Sequence, residues 1–139
     1  MSASNPGLPV YVIDGATFDD FGGFSREFSK LLDGWQWNGN LDAFNDIMRG
    51  GFGTPDGGWV FRWLNSDRSR RVLGHEAAVQ RLEAILPKIH PTNRDKFERR
   101  LAAARRSEGP TLFDQIVEII REHGPGGGEA EDGVVLDLA

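Results

Sequence analysis

Trp59-Val60-Phe61-Arg62-Trp63-Leu64 is the stretch on which the fold turns. Aromatic and β-branched side chains fill it, and such residues fit a pleated surface buried on at least one face. It enters from Thr54-Pro55-Asp56-Gly57, a turn in which proline presets φ and glycine accepts a positive one. Two other runs share its character. Val10-Tyr11-Val12-Ile13 closes on Asp14-Gly15, and Val134-Val135-Leu136 with Leu138 lies at the other end of the chain. Long stretches of helical composition separate the three. Strands spaced in this way need crossovers, so the chain is expected to be an α/β protein with a small, mainly parallel three-stranded sheet covered by helices.

The helices are marked by spacing and caps. Phe21, Phe24, Phe28, Leu31 and Leu32 recur with helical period behind Asp19 and Asp20, with Gly34 placed to end the run. Asn40 as N-cap and Gly50 just past the end predict a second helix over 41–49. From 66 to 124, breaks at Gly74, at Pro87 and Pro91, and at Gly109-Pro110 predict three or four more. Thr92 and Asp95 resemble a capping box, and Thr111 caps the most apolar helix, which Gly124 stops. Residues 1–9 are expected to form a flexible tail and residues 125–133 a flexible acidic linker before the last strand. One domain spanning 1–139 is the expectation at this length.

The 139 residues include no cysteine, which removes disulfides and thiolate metal sites and fits a reducing compartment. No apolar run approaches the roughly eighteen residues of a membrane span, and the start lacks the pattern of a signal peptide. A cytoplasmic location is therefore expected. The net charge of -5 is unevenly spread: residues 62–106 hold 12 Lys and Arg against 5 Asp and Glu, and the remainder holds 4 against 16. Such asymmetry points either to charged partners or to helix faces that pair with each other.

On the second helix, Leu41, Phe44, Ile47 and Met48 share one side while Asp42 and Asp46 fall opposite. At i and i+4 the two carboxylates are close enough to grip one cationic site. The spacing by itself favours a wet face in which Asp42 complements the helix N-terminus and Asp46 pairs with Arg49. Trp35 and Trp37 precede this helix, and the pattern suits one as an interface aromatic and the other as a core lid. Signals for an enzyme are poor. His75, His90 and His123 show no HExxH spacing and suit cap, loop and surface positions, and neither a P-loop, a GxGxxG nor a GxSxG pattern is present. Neither catalytic residues, a metal nor a cofactor is expected. Arg94, Lys96, Arg99, Arg100, Arg105 and Arg106 give segment 94–106 clustered charge, but with Phe97 as its one aromatic it meets only half of the requirement for nucleic-acid binding.

The run Trp37-Asn38-Gly39-Asn40-Leu41-Asp42-Ala43-Phe44-Asn45-Asp46 resembles the hallmark of the barstar family: two tyrosines, Gly, an acidic residue, then Asn-Leu-Asp-Ala-Leu-Trp-Asp. Asn40 to Ala43 and Asp46 are identical to it; one residue is missing after Gly39, and Asn45 stands where the family has tryptophan. The order of strands and helices agrees along nearly the whole chain, with 76–109 as a helical insertion. The resemblance implies an intracellular inhibitor that occludes the active site of a basic ribonuclease or related nuclease. In it Asp46 stands in for an RNA phosphate and Asp42 meets neighbouring basic groups. Trp37 and Asn38 take the places of the tyrosines, and Glu122 is an accessory acidic contact. The expected contact surface is therefore Asp42, Asp46, Trp37, Asn38, Asn40, Asn45 and Glu122, on a protein that is monomeric when free. The alternative is a nucleic-acid-associated regulator that uses 94–106.

Overall fold

A computed structural model of the chain describes residues 7–55 and 57–139. Most of the expected N-terminal tail and Asp56 of the turn lie outside the described residues. Three strands, β1 (Val10–Asp14), β2 (Trp59–Leu64) and β3 (Val134–Leu138), form one sheet in the order β1-β2-β3. Both pairings are parallel, Val10 facing Val60 and Trp59 facing Val134. Among the described residues six α-helices fill the crossovers: α1 (Phe21–Ser29) and α2 (Leu41–Met48) before β2, then α3 (Ser66–Val72), α4 (His75–Ile85), α5 (Pro91–Arg105) and α6 (Leu112–Glu122). This is the parallel α/β sheet covered by helices that the strand spacing required.

Alternation along β2 divides the sheet into two faces. Trp59, Phe61 and Trp63 are at most 1% exposed, and helices cover that side. Phe61 and Trp63 stack on Phe28 and Phe24 of α1, and Trp63 also meets Phe113 of α6. On the other side Val60, Arg62 and Leu64 are half-buried, Val10 and Val12 of β1 are exposed, and Arg62 pairs with Asp137 across to β3 at 2.8 Å.

Local chemistry sets the helix ends. Asp20 Oδ1 accepts from Gly23 N to start α1, and Asn40 Oδ1 accepts from Ala43 N to start α2. Helix α1 stops at Ser29, short of Leu31 and Leu32, because the chain tightens there: Leu31 and Leu32 donate to carbonyls three residues back. Helix α5 begins one step before Thr92, since Pro91 needs no donor at the first helical position and His90 caps instead, accepting from Thr92 N. Thr111 and Asp114 form a reciprocal capping box on α6.

Residues 125–133 correct the expectation of a flexible linker. Gly127 N bonds Gly124 O, Glu129 N bonds Glu122 O, a short 3-10 turn covers Ala130–Asp132, and Glu129 and Asp132 are tied to side chains of α2 and α6. The composition suggested looseness, but the acidic groups find cationic and imidazole partners. Gly124 lets β3 pass against the end of α6, where a Cβ would run into the Val134 carbonyl.

Candidate functional site

In open parallel sheets ligands usually enter at the carboxyl ends of the strands, and here that end is occupied by the chain itself. Arg68 of α3 donates to the carbonyls of Gly15 and Phe18 and pairs with Asp19. Asp14 accepts from Ala16 N and from Asn65 Nδ2, and Ser69 Oγ accepts from Trp63 Nε1. These groups are satisfied by one another and form a structural closure.

Chemistry concentrates instead where α2 lies beside α6. Leu41, Phe44, Ile47 and Met48 bury one side of α2 and leave Asp42 and Asp46 exposed. Buried Leu112, Phe113, Ile116, Val117 and Ile120 fix α6 in the same way, with Glu118 and Glu122 outward. Asp42, Asn45, Glu118 and Glu122, far apart in sequence, line one groove. Asp46 lies a turn further along α2, its side chain 62% exposed and 2.5 Å from Arg49 Nη1. Arg49 also grips Glu129 through Nε at 2.7 Å and Nη2 at 3.1 Å. That fork holds the Glu129 carboxyl below the usual glutamate range and raises the Arg49 guanidinium above its own.

His123 joins the two helices from beneath. It caps α6, is fully buried, and has Nδ1 2.7 Å from Asp132 Oδ2 and Nε2 2.6 Å from Asn45 Oδ1. Nδ1–H donates to the carboxylate, and Nε2 faces the Asn45 amide oxygen. The surface position expected for His123 is thus corrected: it is a pin between α2, α6 and the turn at 130–132. His123, Glu129 and Asp132 each bring a ligand atom within 4.8 Å of the others. A metal ion there would have to displace Arg49 from Glu129 and a ring bond from His123, so the geometry is that of a hydrogen-bonded junction.

The other expected contact residues divide. Trp37 is overturned as a contact, being 4% exposed inside a cage of Phe21, Phe24, Phe28 and Phe44. Its Nε1 donates to Asn40 O, and its backbone N–H donates to Ser29 Oγ. Trp35 is the exposed aromatic, 53% open and edge-on to Phe52 at 5.2 Å. Asn38 and Asn40 are exposed but engaged locally, Asn38 accepting from Asn40 N and Asn40 capping α2. Asn45 is half-buried and committed to His123. Glu122 is exposed, with one carboxylate oxygen accepting from Gly128 N.

Three of the six cations in the basic segment have partners among the described residues. Arg105 pairs with Glu83 and Arg106 with Glu108, while the Arg100 guanidinium lies over the half-buried Phe97 ring at 5.1 Å. No helix among the described residues is long and apolar enough to cross a membrane. The class defined by fold and surface is a small parallel-sheet α/β protein with an acidic face on α2 and α6. Set against family models, curated proteins and solved structures, the chain matches none.

Proposed function

We propose that this chain is an inhibitor of a basic nuclease, binding through the face of α2 and α6 as a cytoplasmic monomer, with no catalytic activity of its own. The observation that carries the proposal is the juxtaposition of Asp42 and Asp46 with Glu118 and Glu122 on adjacent helices held by the His123 junction. A rigid cluster of exposed carboxylates complements a cationic active site, speeds encounter by long-range attraction and suppresses neutral partners. The resemblance of Asn40-Leu41-Asp42-Ala43 and Asp46 to the barstar motif supports the same reading and favours a ribonuclease as target. Trp35, next to this face in sequence, supplies the kind of exposed aromatic that anchors interfaces.

The nucleic-acid reading of 94–106 is weaker because Arg105 and Arg106 already pair with carboxylates and the half-buried Phe97 ring already has the Arg100 guanidinium over it. Titration into a panel of small basic microbial ribonucleases, with RNA cleavage as readout, tests the proposal. Inhibition is expected from wild type, with Asp46→Ala and Asp42→Ala weakening it by roughly tenfold or more each, as loss of one partner from a desolvated charge pair does. No inhibition at any enzyme of the panel, or inhibition indifferent to both changes, rejects it.

A further inference from the structure

The groove beside α2 has a second feature that an acidic face does not require. It encloses about 510 Å³ between α2, α4, α5 and α6, within the range of pockets that hold small organic ligands. Leu41, Ala78, Leu82 and Ala104 give it an apolar lining, and Ile119 flanks them. Two arginines also line it, Arg81 from α4 and Arg100 from α5, the Arg100 guanidinium lying over the Phe97 ring. Arg81 is the unusual one: its Nε is buried without a hydrogen-bond partner among the described residues. Burial lowers its pKa from the ordinary arginine value, Arg100 adds repulsion, and the field of Asp42 opposes them in part.

A partly buried cation with an unmet donor costs free energy that a hydrophobic side chain of the same length would not. Elsewhere on α5 arginines meet this need locally, Arg105 with Glu83 and Arg106 with Glu108. We propose that the groove is a binding site for an amphipathic organic monocarboxylate. The carboxylate head pairs with Arg81 and Arg100, and the apolar tail lies along Leu82, Ala104 and Ile119. Asp42, Glu118 and Glu122 at the groove set the charge class: they repel polyanions such as a nucleic-acid backbone and admit a single negative charge seated between the arginines. The groove shares Asp42, Glu118 and Glu122 with the proposed nuclease face, whereas the carboxylate contacts are Arg81 and Arg100, so titration of the free chain reads this site apart from the nuclease.

The test is calorimetric titration of the full chain with octanoate and, as a neutral counterpart of equal length, octanol. Saturable one-to-one binding of octanoate is expected, with octanol weaker by roughly tenfold or more. Arg81→Met should abolish the preference for the carboxylate and raise the thermal midpoint of the free protein, because it replaces an unpartnered cation by an apolar chain of similar reach. Arg100→Gln, on an exposed position, should weaken octanoate without altering octanol, and Ala104→Phe should block both. Equal binding of octanol and octanoate, absence of saturable octanoate binding up to millimolar concentration, or an Arg81→Met variant that keeps the preference overturns the proposal. A fall in stability in Arg81→Met would equally overturn it, by showing that the fold itself satisfies this arginine.

Discussion

The two tryptophans before α2 show how far single residues can be read. Both are large, both sit in a polar loop, and their composition cannot separate them. The structure does so through partners: four phenylalanines and a buried Ser29 hydroxyl hold Trp37, while the half-exposed Trp35 ring meets Phe52 edge-on. Trp37→Ala is expected to cost about 3–5 kcal/mol in urea unfolding, the range for large core aromatics. Trp35→Ala should stay within about 0.5 kcal/mol and, on the inhibitor reading, weaken inhibition instead. The role of His123 is hidden from its local sequence for a related reason. A lone histidine after a helix looks like a cap at the surface, and nothing local announces that Asn45 and Asp132 converge on it. His123→Ala opens a cavity at a fully buried position and leaves a half-buried amide and carboxylate without their partner, so a loss of about 2–4 kcal/mol is expected in the same assay. The exposed positions of Asp42, Asp46 and Glu122 were legible because amphipathic period fixes which side of a helix is wet.

Among elements, capped helices could be read closely and the glycine-rich segment could not. Asn40 and Thr111 cap α2 and α6 as their sequence positions demand, whereas the order in 125–133 depends on long-range partners, Arg49 above all. Those partners make acid stability an element-scale property. Arg49 holds Glu129 below its ordinary 4.5, Lys30 does the same for Glu27, and the Ala16 amide with Asn65 lowers Asp14 from 3.8. A carboxyl with a depressed folded pKa contributes fully above its unfolded value and loses that contribution as pH falls toward the folded one. The urea midpoint should therefore be flat from pH 7 to about 5 and fall below that. Arg49→Gln should flatten part of the fall, since Glu129 then titrates alike in both states; an unchanged profile would count against the Arg49–Glu129 fork as its source.

For the molecule as a whole, three β-rich runs separated by helices were enough to specify a parallel sheet, because no short connection can join parallel neighbours. What they left open was which side of the sheet is covered. That is decided by α1 and α6 both packing on the Trp59, Phe61 and Trp63 side, which leaves Arg62 at the centre of the thinner side. The middle position of β2 also has a consequence in time. Each of its edges waits for a strand that is remote in the chain, Val10 for one and Val134 for the other. Local helices form before such distant pairings are made, because the entropy of closing a long loop must be met before the strand contacts offset it. During that interval Trp59 to Leu64 is an apolar strand with open backbone groups, the kind of segment that seeds association between unfinished chains. Arg62 interrupts it with a charge and acts as a gatekeeper. Arg62→Val should consequently leave the folded state nearly as stable while lowering the refolding yield as protein concentration rises, a dependence that light scattering during refolding would reveal.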